Sequence, residues 1–177
     1  MSESSVAHPR VNLETNQGRI VLELWPEAAP VAVENFLTYV REGFYDGLIF
    51  HRVVPGFVAQ AGGFEPGMVY RQPSQPPIQN EAANGQKNRR GAVAMARAFP
   101  INSAAAQFFI NLSDNPNLDH HGSDPQSYGY TVFGQVVEGM GVVDSMAQAP
   151  RETRGQHRDV PVEDVVIQRV RIAGEEA

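Results

Sequence analysis

At 177 residues, with a formal charge of −6 and 19% charged residues, the chain is long enough to fill one core and too acidic overall to suit a general binder of nucleic acid or anionic membrane. It has no cysteine, which excludes disulfides, thiolate nucleophiles and cysteine zinc sites together. No apolar run approaches the length of a bilayer span, and MSESSVAHPR carries acid and serine where a secretory signal would be basic and then apolar, so a cytoplasmic protein is the expectation.

Residues 1–10 read as a flexible tail. Residues 11–15 and 19–24 alternate as two strands about Asn16-Gln17-Gly18, with Ile20, Leu22 and Leu24 facing inward. The period then changes: Val33, Phe36, Leu37, Val40 and Phe44 share a helical face, Pro30 suits the first turn, and Gly43 suits the position past the end. Residues 48–53 and 57–60 form a hairpin about Pro55-Gly56, a pair fitted to the centre of a type II turn. A two-residue turn sets residue 52 opposite 59 and projects Arg52 and Phe57 from one face. Strict alternation sends Gln60 to the other, unless a bulge or the Gly62-Gly63 loop re-aims it.

Residues 65–87 are polar, contain four prolines and show no sustained period, which reads as a long surface loop. Residues 91–98 and 107–112 read as strands joined by a run of small residues. In the second, Gln107, Phe109 and Asn111 share one face and Phe108, Ile110 and Leu112 the other. A turn-rich stretch over 113–129, a strand over 130–137, a short helix over 140–149, a loop over 151–159 and a strand over 165–172 complete the chain. Seven or eight short strands and two helices favour an antiparallel barrel or sandwich over a parallel sheet. One domain is expected over 11–172, with a short tail at 173–177.

The histidines, His8, His51, His120, His121 and His157, make no metal-ligand spacing, and Asp114, Asp119 and Asp124 fit no calcium loop. No metal or cofactor is expected. Ser103 lies among alanines without an implicated histidine or acid, and no G-x-S-x-G elbow is present, so hydrolysis has no positive support. Arg52, taken alone, reads equally as a surface ion-pair residue, and any one of Phe57, Phe108, Phe109 or Phe133 reads as core.

The combination of FHRVVPGFVAQAGGF, then MARAFPINSAAAQFFIN, then GYTVFG resembles the cyclophilin-type peptidyl-prolyl cis-trans isomerases, and most of all their short bacterial cytoplasmic members. The resemblance implies a closed eight-stranded antiparallel β-barrel capped by two helices, and an enzyme that assists protein folding by turning X–Pro bonds without covalent chemistry. It places the catalytic arginine on Arg52 and a proline pocket on Phe57, Val58, Gln60 and Phe109, with Leu118 as a wall. The substrate backbone falls to Ala96, Arg97 and Gln107. Asn117 stands where cyclosporin-sensitive members have tryptophan, which implies weak cyclosporin binding; Tyr130 stands where they have histidine and keeps an aromatic wall. Proline-containing peptides are the implied partners, with a monomer expected and neither nucleic acid nor membrane. The competing class is a module that holds proline peptides without turning them over.

Overall fold

The computed structural model describes residues 8–175. Strand β1 (Arg10–Thr15) and strand β2 (Gly18–Leu24) pair in register from Arg10 with Glu23 to Thr15 with Gly18, so the turn is Asn16-Gln17 alone. Gly18 takes φ +136, and a Cβ there would stand 2.9 Å from Val142. Residues 1–7 of the expected tail lie outside the described residues, as do 176 and 177 of the C-terminal one. The rest of each is fixed: the Pro9 carbonyl accepts from Leu24, and Ala173 donates to the Arg10 carbonyl.

Helix α1 (Pro30–Glu42) opens on proline, whose missing N–H would have lacked a helical partner anyway. No side chain at its own N-terminus caps it. Glu81 does so from fifty residues on, its carboxylate accepting from the Val31 and Ala32 amides. Gly43, left-handed at φ 72, ends it. The buried stripe of Val33, Phe36, Leu37 and Val40 covers one opening of the sheet. Phe36 meets Tyr45, Phe108 and Phe133 at centroid distances of 5.2, 5.3 and 5.3 Å, contacts worth about 0.5–1.5 kcal/mol each beyond the area they bury.

Strands β3 (Phe50–Val54), β4 (Val58–Ala61), β5 (Phe64–Glu65), β6 (Val69–Tyr70), β7 (Ala92–Met95), β8 (Phe108–Asn111) and β9 (Val132–Glu138) follow. Then come helix α2 (Met140–Gln148) and strands β10 (Arg151–Arg154), β11 (His157–Pro161) and β12 (Ile167–Ile172). Eight strands form one antiparallel sheet in the order β12-β1-β2-β9-β7-β8-β4-β3. The sheet curls into an open half-barrel and does not close, against the expectation of a closed barrel. The physical reason lies beside β3, where the β10–β11 hairpin packs along the edge strand. The final strand and the residues just before it meet the chain only at the start of β3 and just ahead of it, through an Ile49–Val166 bridge and the bonds Phe50 N to Val165 O and Ile167 N to Leu48 O.

That hairpin stands where a loop over 151–159 is expected. Its strands lack alternation: Arg151, Glu152 and Thr153 are exposed and Val160 is its buried apolar anchor. The 65–87 segment likewise carries the small β5–β6 ladder and a 3₁₀ turn at Ala82–Asn84.

The sheet has two apolar faces. The inner one, with Leu13, Ile20, Leu22, Val53, Phe108, Ile110 and Phe133, packs against α1 and against Val143 and Met146 of α2. The outer one joins Val58, Ala92, Ala94, Phe109, Leu118 and Val132 under the covering 112–131 segment, with Trp25, Phe57, Ala96 and Tyr130 at its margins.

His51 of β3 is buried against Phe64, at 4.6 Å between ring centroids, and its Nδ1 has no hydrogen-bond partner among the described residues. Burial, then the neighbouring His157 and Arg52, push its pKa from the usual 6.5 down to about 4. The unfolded ring takes a proton in that window and the folded one does not, so stability is full above about pH 6.5 and declines as pH falls toward 4. The contribution is on the order of 3 kcal/mol in all and roughly 2 kcal/mol by pH 5. Urea midpoints at about pH 7.5 and about pH 5 should reveal this loss in the native chain, and His51→Phe should abolish that share of it.

Candidate active site

The β3–β4 connection has three residues, Pro55, Gly56 and Phe57, with Val54 paired to Val58 and the Phe57 amide bonded to the Val54 carbonyl at 3.0 Å. Gly56, at φ 72, supplies the left-handed position that a type II turn needs. The expected two-residue turn is therefore one residue short. The added residue sets Arg52 opposite Gln60, and directly opposed residues of an antiparallel pair share a face. Gln60 needs no bulge to reach Arg52.

From there a row of side chains crosses the outer face. Gln60 lies opposite Phe109, Phe109 opposite Ala94, and Ala94 opposite Val132. The Arg52 guanidinium sits 5.9 Å from the Phe57 ring centroid and donates to Gln60 Oε1 at 3.5 Å, a long contact. Gln60 Nε2 in turn donates to Gln107 Oε1 at 2.9 Å. Among the described residues Arg52 has no acidic partner, so most of its N–H groups are left for whatever enters.

Beside this row opens a cavity of about 220 Å³. Phe57, Val58, Phe109, Leu118 and Tyr130 give it apolar walls, Arg52 and Gln60 a polar rim, and Ala96 and Arg97 its remaining side. Tyr130 stands edge-on to Phe109, with centroids 5.7 Å apart. Gln107 lines a neighbouring cavity of about 310 Å³ that shares Gln60, Ala96 and Arg97 with the first. Asn117 lines neither; it is exposed on a 3₁₀ turn, Pro116–Leu118.

The second cavity brings in residues that sequence reasoning missed: Tyr70, Arg71 and Pro73 from the long loop, and Ser103, Ala105 and Ala106 from the small-residue connection. The signal available was the run of small residues itself, together with Gly62-Gly63. A Cβ at Gly63 would stand 2.5 Å from Gln107 Nε2, so only glycine lets that amide lie where it bridges to Gln60.

Arg97 lines both cavities. Its guanidinium donates to main-chain carbonyls of Gly129, Ala98, Phe99 and Pro125 at 2.8–3.0 Å, with Pro100 farther off. It also stacks 4.9 Å from the Tyr130 ring centroid. It clasps two loops and backs the tyrosine wall. Among the described residues no three His, Asp or Glu side chains gather as a metal site would require.

This sequence and this fold agree with known proteins. Residues 10–172 match the model of the cyclophilin type peptidyl-prolyl cis-trans isomerase family, and the chain belongs to that family. It is 50% identical over 163 residues to peptidyl-prolyl cis-trans isomerase B of Escherichia coli K12, covering 92% of this chain and 99% of that one. It is 51% identical over 164 residues to the isomerase cyp18 of Streptomyces antibioticus, covering 93% and 98%. Among solved structures, a cyclophilin type isomerase of Cryptosporidium parvum, crystallised in the presence of the dipeptide Ala-Pro, is similar with a TM-score of 0.76 and 28% identity, over 92% of this chain and 98% of that one.

If Arg97 is a clasp, its planar fork matters more than its charge. Arg97→Ala should lower unfolding stability by roughly 2–3 kcal/mol in urea titrations, and Arg97→Lys should recover less than half of that, since an ammonium offers three donors from a point instead of five in a plane.

Proposed function

We propose that this chain accelerates cis–trans rotation about X–Pro bonds of peptides and unfolded protein segments, with Arg52 as the catalytic group. One observation carries the assignment of roles: a guanidinium without an acidic partner, held by Gln60 at the rim of a cavity with apolar walls. The Ala-Pro dipeptide named with the Cryptosporidium relative supports a proline as the occupant.

Rotation about the amide meets a barrier of roughly 18–20 kcal/mol because the twisted form loses resonance. A turnover of about 10³ per second requires that barrier to fall by roughly 5–7 kcal/mol, with no bond broken. The walls from Phe57, Phe109 and Leu118 favour the less polar twisted amide over the planar one. Arg52 donates to the proline nitrogen once that nitrogen becomes pyramidal and regains its lone pair, an interaction made with the transition state alone. Gln60, itself bonded to Gln107, holds the arginine on one side, and the backbone near Ala96 and Arg97 holds the flanking peptide extended, so one half of the substrate is fixed while the other turns.

A nucleophile has no place in this chemistry, and Ser103, His120 and His121 each make hydrogen bonds within their own loops. The Ser103 hydroxyl is bonded to the Pro100 carbonyl and the Ala98 amide, while His120 and His121 bond the carbonyls of Tyr128 and Pro116. Weak cyclosporin binding belongs to the same reading, since Asn117 is exposed and offers no indole.

Exchange spectroscopy on a short Ala-Pro peptide tests the assignment. Arg52→Ala should cut the catalysed exchange rate by roughly 10²-fold or more while peptide affinity changes little; equal losses in both would favour a binding module. Turnover should also vary little between about pH 6 and 9, a range in which arginine keeps its charge and the neighbouring His51, with its pKa near 4, stays neutral. A sharp inflection near neutrality would count against an arginine-based mechanism.

A further inference from the structure

Two of the pocket walls lie outside the strand ladders, although each carbonyl takes one backbone bond, Phe57 from the Leu112 amide at 2.8 Å and Leu118 from the Tyr130 amide at 3.1 Å. Phe57 is the last residue of a turn, and Leu118 sits on a 3₁₀ turn in the covering segment, whereas Phe109 is locked in a ladder on both sides. Behind the two unladdered walls runs a buried chain of polar side chains: Asp119, Asn88, Asn111 and Asn115. Asp119 Oδ1 accepts from the Asn88 amide at 2.7 Å and from Asn88 Nδ2 at 3.2 Å. Asn88 Oδ1 accepts from Asn111 Nδ2 at 3.1 Å, and Asn111 Oδ1 accepts from Asn115 Nδ2 at 2.8 Å.

The chain ends on the walls themselves. Asn115 Nδ2 donates to the Phe57 carbonyl at 2.9 Å, and Asn88 Nδ2 donates to the Leu118 carbonyl at 3.1 Å. A carboxylate only accepts, so Asp119 at one end fixes which way every amide along the row must face. With Asn111 Nδ2 also donating to Ala92 O, each of the three amide nitrogens makes two bonds. Buried polar rows are tolerated when complete and costly when one member is lost.

We infer that Asn115, oriented through Asn111 and Asn88 from Asp119, is a positioning residue of the isomerase site. It adds a second bond to the Phe57 carbonyl beside that from the Leu112 amide, and Asn88 adds one to the Leu118 carbonyl beside that from the Tyr130 amide, so the side-chain row ties the two walls to each other. The inference rests on the pocket reading given above. It distinguishes Asn115 from a residue that merely stabilises the fold: its loss moves one named ring.

The test compares Asn115→Ala and Asn115→Asp, both of which remove the donor to Phe57, with Thr15→Val. The control deletes a buried hydroxyl bonded within the β1–β2 turn. Isomerisation of a prolyl peptide and the fluorine resonance of Phe57 in protein labelled with para-fluorophenylalanine are measured on variants shown to be folded. Both Asn115 variants should lose roughly tenfold in kcat/KM, as a displaced wall does, and shift the Phe57 resonance, while Thr15→Val changes neither. Folded Asn115 variants with native kcat/KM or an unmoved Phe57 resonance would overturn the inference. Should neither fold, Ser113→Ala replaces them, since that hydroxyl bonds the Gly56 carbonyl and Asn115 Oδ1 at the outer end of the row. A loss of about threefold with the same shift is expected, and no change overturns the proposal. Native activity in Phe57→Ala would sink the pocket reading and this inference together; activity lost there and kept in the Asn115 variants sinks the inference alone.

Discussion

The register of β3 against β4 is the constraint on which the site depends. With a two-residue turn, Ala59 would face Arg52 and Gln60 would project its amide into the apolar interior, where an unpaired polar group costs several kcal/mol. One more residue reverses every side chain of β4. That residue is Phe57, which therefore sets the register and, placed at the turn's end, supplies the ring beside Arg52. The same insertion makes the pocket possible and forms part of it.

The sheet then divides its labour by face. Side chains of β8 alternate between the two: Phe108 and Ile110 fill the inner core, while Phe109 stands in the outer cluster. The inner face accounts for most of the burial and holds the strands rigid. The outer face has to be apolar enough for a proline ring and polar enough at its rim to direct an arginine, and it is covered by loops, which cannot hold shape by ladder bonds. Buried amides, the Arg97 clasp and the close approach at Gly63 take the place of those bonds.

Much of this was legible in the residues. The period change at Pro30, the alternation of 19–24 and the split faces of 107–112 all reported true elements, because each is a strong amphipathic pattern packed against one core. Nine of the positions named by the motif resemblance line one cavity. The turn length could not be read, since Pro-Gly serves two- and three-residue connections alike. The β10–β11 hairpin was hidden because Val160 is nearly its whole apolar content. The open edge of the sheet follows from where that hairpin lies, which is a tertiary fact. Arg97 was placed at the substrate edge by the motif resemblance, which concerns its main chain; nothing in sequence tells that carbonyls of distant loops take its guanidinium.

The strand order bears on how the molecule is made. β1 is flanked by β2, its neighbour in sequence, and by β12, the last strand of the chain. During synthesis from the N-terminus, β1 and β2 can pair early. The opposite edge of β1 must then wait, with its amides and carbonyls bare, until nearly the whole polypeptide has emerged. Helix α1 waits too, for the carboxylate of Glu81. Non-local pairings of this kind slow folding and leave edges exposed to mispairing. A chain whose family turns proline bonds in other polypeptides thus has, in its own topology, a long interval between translation of its first strand and completion of its sheet.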